Sequence, residues 1–197
     1  MNFLAHLSLS GDNPRVMVGN FIGDFVKGRK SLEQFDADIV HGVGLHRAID
    51  SFTDTHPVVT QSKRRLHAEF RHYAGVIVDV FYDHYLARNW STYYEGELAD
   101  FARHCYRTLE EHNTILPERV QHMLPYMKRD NWLVGYSYTD GIHQALSGMS
   151  RRTRYESGMD HAVEALRGHY DAFGEEFASF YPELQRFAEQ WRNGEAS

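Results

Sequence analysis

The chain has 197 residues, a mass of 22.9 kDa, a formal charge of −6 and a single cysteine, Cys105. One cysteine excludes a disulfide framework within the chain and a Cys-type zinc site, the negative balance argues against a general nucleic-acid binder, and no stretch reaches the length of a membrane span. A hydrophobic content of 42% with 24% charged residues describes a soluble globule of one domain, and a first segment lacking both a basic region and a long apolar run leads us to expect no signal peptide and a cytoplasmic address.

In chain order, the first segment of interest is Asn2-Phe-Leu-Ala-His6, with Asn2 and His6 four apart in an apolar setting. A histidine there is either a hydrogen-bonded core residue or a metal ligand. Asn13-Pro14 reads as an N-cap followed by proline at the first helical position. The helix it opens carries Val16, Met17, Asn20, Phe21 and Asp24 and is expected to end near Gly28. Asn20 and Asp24 share a face there, and Asp24 looks buried between Ile22 and Phe25. Gly19 and Gly23 also recur at four, which suggests close approach of another helix or of a ligand.

Asp36 can cap the next helix, which runs to about Thr55 and stops before Pro57. His46, Asp50 and Asp54 step by four along it. Such a stripe can hold a hard or borderline divalent ion, or Arg47 can neutralise the carboxylates in a structural ion pair. A basic helix with Lys63, Arg64 and Arg65 covers 57–70. The central helix spans about Tyr73 to Arg88 and is apolar on every side, with Asp79, Asp83 and His84 interrupting it. Two carboxylates on one buried face require a cation between them or a separate basic partner for each. Further helices are expected at 95–113, from Pro117 through Met127, at Thr139–Met149, and at 158–179 and 181–192.

Strand signals are nearly absent and no join is long enough for an inter-domain linker. The fold class is therefore all-α, in one irregular bundle over residues 1–197. The 13 histidines are the compositional oddity, since imidazole is the commonest metal ligand and the usual proton shuttle near neutrality; a surplus of surface histidines is the plain alternative. The carboxylates that look buried outnumber the nearby bases, which favours one or two divalent sites over separate ion pairs. Phosphate loops, dinucleotide fingerprints, serine elbows and His-Glu-x-x-His are missing. Cys105 lies on an apolar helical stripe and reads as core.

Asn2-Phe-Leu-Ala-His6, Gly19-Asn-Phe-Ile-Gly-Asp24-Phe, His46-Arg-Ala-Ile-Asp50-Ser-Phe-Thr-Asp54 and Asp79-Val-Phe-Tyr-Asp83-His84 together resemble the acyl carrier protein phosphodiesterases. That family is similar to the HD-type metal phosphohydrolases, helical and Mn²⁺-dependent, although Asp83-His84 here reverses the usual His-Asp order. The resemblance implies an HD-like bundle that hydrolyses the phosphodiester between 4′-phosphopantetheine and the serine of holo-acyl carrier protein. It implies Asp24 as the most critical carboxylate. Asp24, His46, Asp50, Asp54, Asp79 and Asp83 are the candidate metal ligands. Mn²⁺ is the expected ion, and such donors also accept Mg²⁺, Fe²⁺ or Zn²⁺. His6, His46 or His84 could protonate the departing serine oxygen. Asn20 and Arg47 are candidate substrate contacts. Carrier proteins are strongly acidic, so a basic docking face is expected. Lys27 to Lys30 and Lys63-Arg64-Arg65 come first, with Arg151, Arg152 and Arg154 as the third candidate. The rival readings are a phosphohydrolase of nucleotides or other small phosphoesters, and a non-catalytic bundle with a structural ion.

Overall fold

Helix starts follow the capping chemistry. Asn13 Oδ1 accepts from the Arg15 amide at 2.9 Å and from Val16 at 3.4 Å, and Asp36 Oδ1 accepts from the Asp38 and Ile39 amides, both at 3.1 Å. The computed structural model describes residues 1–195, and among these it is all-α, with twelve α-helices and no strand. The first five build the site: α1 (Phe3–Ser8), α2 (Pro14–Ile22), α3 (Ala37–Thr55), α4 (Pro57–Phe70) and α5 (Ala74–Arg88). The short α6 (Trp90–Tyr93) leads to α7 (Leu98–Glu111), α8 (Glu118–Arg129), α9 (Trp132–Gly135), α10 (Thr139–Ser150), α11 (Ala162–Gly168) and α12 (Tyr170–Arg192).

α5 is the centre of the core. Ile77, Val78, Val80, Phe81, Tyr82 and Leu86 are fully enclosed, as its largely apolar run predicts. α2 and α3 form the most extensive helix pair. Glycine is required where they cross: a Cβ on Gly19 would overlap the Ile39 carbonyl oxygen, and one on Gly42 would overlap that of Val16. The Gly19 repeat thus serves helix packing. At Gly23 the neighbour is the His46 ring, which fills the space a Cβ would take.

Several boundaries differ from expectation, among them a break at His169 between α11 and α12 inside the expected 158–179 helix. α2 ends at Ile22, and a tighter 3-10 turn over Gly23–Phe25 takes its place. Asp24 consequently leaves the buried face of Asn20. Pro117 stands one residue before α8 rather than inside it. The last helix runs unbroken from Tyr170 through Pro182 to Arg192. The buried stripe of Phe173, Phe177, Phe180, Tyr181 and Leu184 outweighs the missing amide of the proline.

Candidate functional site

Three side chains from two distant helices meet at one point. His6 comes from α1, and His46 and Asp50 from successive turns of α3. His6 Nε2 lies 3.1 Å from Asp50 Oδ1, and His46 Nε2 lies 3.2 Å from Asp50 Oδ2. The two imidazoles stack, with centroids 3.9 Å apart and planes 17° from parallel. One donor atom from each of the three residues falls within 4.8 Å of the others, the spacing of a cation site. Asp24 completes the group from the 3-10 turn, its Oδ1 3.3 Å from His46 Nε2. Its side chain is 74% exposed, whereas the sequence suggests a buried carboxylate.

Asn20, fully buried on α2, sets the orientation of both rings. Its side-chain amide donates to the His6 carbonyl at 2.6 Å and to Ser10 Oγ at 3.0 Å, which fixes the amide's direction. Asn20 Oδ1 then accepts from His6 Nδ1 at 2.9 Å. The Asn20 backbone carbonyl accepts from His46 Nδ1 at 2.7 Å. With both Nδ1 atoms acting as donors, each Nε2 is the ring atom turned to Asp50, and His6 Nε2 also lies 3.2 Å from the Met1 carbonyl oxygen; loss of the Nε2 proton would free a lone pair there for a cation. This is the outer-shell arrangement that accompanies metal-binding histidines.

His46 Nε2 is the telling atom. It is buried and has no hydrogen-bond partner, because neither Asp24 nor Asp50 lies in line with the ring despite their nearness. A buried ring nitrogen flanked by two carboxylates and left without a hydrogen bond is an incomplete polar site. Two imidazole nitrogens with one or two carboxylates suit Mn²⁺, Fe²⁺ or Zn²⁺, so these residues fit the expected cation.

The electrostatics agree. Burial would lower the His46 pKa, but Asp24 and Asp50 overcome it and raise it to about 9. Burial, then the neighbouring His46, keeps His6 below the ordinary imidazole value. Burial opposes ionisation of Asp50, yet His46, His6 and the α-ammonium of Met1 hold it far below the usual carboxylate range. The nearby His46 ring lowers Asp24, so this carboxylate is ionised at neutral pH.

The other residues singled out by the sequence are distributed differently. The Met1 ammonium sits between Asp79, at 3.0 Å, and Asp50, at 3.6 Å. It is the cation that Asp79 requires, and through it Asp79 adjoins the cluster. Asp83 does not join it. Its two oxygens accept from the Leu4 amide at 2.8 Å and the Ala5 amide at 3.2 Å, at the head of α1. Burial pushes its carboxyl up to about 7 against those two amides. Its work is to cap the helix that carries His6. His84 is also elsewhere, with Nδ1 2.8 Å from the Tyr136 carbonyl and Nε2 2.9 Å from the Tyr170 hydroxyl. Asp54 is exposed and pairs with Lys63 at 2.6 Å. Arg47 meets neither Asp50 nor Asp54 and donates to the Val26 carbonyl at 3.1 Å. Arg65 is committed to the buried Glu176 by two 2.7 Å bonds, and Arg64 is exposed.

A cleft of about 1190 Å³ begins at Asp24, Phe25 and Lys27 and extends between α5, α8 and α10. Apolar walls from Val76, Met123, Trp132 and Met149 alternate with Arg119, Arg151 and Arg152. Sequence reasoning missed this cleft, since its walls come from segments without a chemical motif. Asp24, Lys27 and the Arg151-Arg152 pair, all candidates in the sequence, do line it.

The family model described as acyl carrier protein phosphodiesterase matches residues 1–184. A protein of that name from Photorhabdus laumondii is 35% identical over 193 residues, covering 96% of each chain. One from Yersinia pestis is 33% identical, covering 96% of this chain and 98% of its own. One from Escherichia coli O6:H1 is 38% identical, covering 95% and 97%. No solved structure matches. A match over nearly the full length, around a cluster built from three of the four motifs that carried the resemblance, identifies the chain as a member of the acyl carrier protein phosphodiesterase family.

Proposed function

We propose that this protein is a divalent-cation-dependent phosphodiesterase, a single catalytic domain acting in the cytoplasm. It hydrolyses the bond between 4′-phosphopantetheine and the serine of holo-acyl carrier protein. Water adds to phosphorus, the bond from phosphorus to the serine oxygen breaks, and the serine oxygen leaves with a proton. The products are apo-carrier protein and free 4′-phosphopantetheine. The relatives' names support the substrate. The observation that carries the chemistry is the unpartnered Nε2 of His46 facing Asp24 and Asp50 where the long cleft begins.

His6, His46 and Asp50 would hold the cation, with Asp24 as a further donor or as the group that orients water. Mn²⁺ is the expected ion. When bound, such an ion acidifies water and neutralises charge on phosphoryl oxygens. The chain's own contributions are distinct. Asn20 fixes both imidazole tautomers. Asp83 caps α1 and so sets the position of His6. The Asp24 carboxylate, ionised and open to the cleft, can accept a hydrogen bond from the attacking water. The cleft receives the prosthetic arm along its apolar wall.

Mass spectrometry tests this directly. Holo-carrier protein incubated with the enzyme and Mn²⁺ should lose the mass of its prosthetic group. Chelator should stop the loss, and renewed Mn²⁺ should restore it. Asp24→Ala should abolish turnover while the chain remains folded, because the Asp24 side chain is mostly exposed. Turnover of a small nucleotide with none of holo-carrier protein would select the rival hydrolase.

A further inference from the structure

Arg119, Arg151 and Arg152 line the cleft that begins at Asp24, and none has a carboxylate within 4.0 Å among the described residues. The three are mutually close. The Arg151 and Arg152 guanidinium groups both face Gly148, within 3.9 and 3.7 Å of where its Cβ would stand. Burial, then repulsion from Arg119 and Arg151, lowers the Arg152 pKa. Arg119 lies over the Phe25 ring at 5.8 Å, one residue from Asp24. Three cations gathered without a counter-charge are unfavourable unless an anion arrives from outside.

Elsewhere, several candidate bases already have partners. Lys63 is bound to Asp54, Arg65 to Glu176, and Arg47 to the Val26 carbonyl. The basic helix α4, favoured by sequence, thus leaves only Arg64 among its three clustered bases without such a partner. A chain of net charge −6 repels a polyanion such as a nucleic acid, while a local cationic patch beside the cleft suits discrete carboxylates on a folded acidic protein. The substrate's single phosphodiester belongs at the Asp24 end, so the arginines await different anions.

We propose that Arg119, Arg151 and Arg152 dock the acidic surface of the carrier protein beside its modified serine. The arginines hold its carboxylates while the arm runs along the apolar wall toward Asp24. This rests on the carrier-protein reading above, and its test separates the two.

The probe is a carrier protein in which the modified serine is alanine, so that no arm or phosphate is present. Its binding is measured by titration calorimetry at low salt. Arg151→Glu/Arg152→Glu should raise Kd by about tenfold or more, and Arg119→Gln by a smaller factor in the same direction. Arg186→Glu, an exposed charge on α12 outside the cleft, should leave Kd within about twofold. Unchanged melting and Mn²⁺ binding would show that the variants are folded. No binding by the wild type, or equal binding by the double variant, overturns the proposal. So does a loss confined to Arg64→Glu, which would move docking to α4. Hydrolysis of holo-carrier protein by the wild type is read separately, so docking can fail while the reaction stands, and the reverse.

Discussion

Asn20 is the residue on which the cluster turns, although it lies behind the two imidazoles. One amide and one carbonyl of this residue hold the Nδ1 atoms of two histidines from different helices. The hydrogen bonds to the His6 carbonyl and Ser10 remove its freedom to flip. Asn20→Ala removes the side-chain acceptor for His6 and leaves its tautomer unset. Loss of such an outer partner typically weakens metal binding by about 10–100-fold. Titration calorimetry with Mn²⁺ should find a loss of that order in a chain that still folds. Equal affinity in the variant would mean that the imidazoles do not bind the ion through Nε2. At this scale the sequence was a partial guide. The four-residue step from His46 to Asp50 marks a true helical face, whereas Asn2 stands just before α1 and turns its side chain to the Tyr136 hydroxyl. Asp83 lies outside the cluster because its partners are the amides of Leu4 and Ala5, nearly eighty positions away. A backbone donor has no signature in a sequence. Asp54 and His84 share the pattern of ligands, but the direction of each side chain assigns them to Lys63 and to Tyr136 and Tyr170.

At the scale of elements, the cluster depends on how closely α2 approaches α3. The Gly19–Gly42 crossing brings the Asn20 carbonyl to His46, one turn beyond Gly42. Gly42→Ala would push a methyl into the Val16 carbonyl, and backbone cannot give way as a flexible side chain does. A cost of about 1–3 kcal/mol is expected in urea unfolding, with weaker Mn²⁺ binding. Gly168→Ala, with nothing within 4 Å of its Cβ, should stay within about 0.5 kcal/mol. The tie between α4 and α12 predicts a pH effect. Burial raises the Glu176 pKa, but Arg65 and Ser62 overcome it and hold it below its ordinary value. The ion pair therefore adds stability in full above about pH 4.5. That contribution is lost as pH falls through the lower folded value. Glu176→Gln should lower the urea midpoint at neutral pH, and its difference from the wild type should shrink as the pH is taken down toward about 3. A difference independent of pH would assign the effect to packing alone. The helices themselves were legible from caps and apolar period. Where expectation failed, at the end of α2 and at Pro182, tertiary contacts with His46 and the aromatic core decided the outcome.

The whole molecule combines a fixed polar cluster with a long cleft, and these can be perturbed independently. The cluster draws on α1, α3 and the turn after α2, whereas the cleft wall comes from α5, α8 and α10. Sequence periodicity marks which face of each helix is apolar but not the gap left between three such faces, so the cleft could not be read in advance. Val76 is the informative position. It lies on the mostly buried α5, yet it is 42% exposed and lines the cleft. Val76→Trp would fill the passage without touching His6, His46, Asp50 or Asp24. An already exposed side chain can enlarge without overpacking the core, so folding should be spared. If the prosthetic arm lies along this wall, kcat/KM for holo-carrier protein should fall by about tenfold or more, since a displaced substrate loses its alignment. Mn²⁺ affinity should remain within about twofold, because ligands and outer partners are unaltered. Joint loss of both would tie Val76 to the cluster itself. An unchanged kcat/KM would mean that the arm approaches Asp24 from another side, leaving the cleft without a role in this reaction.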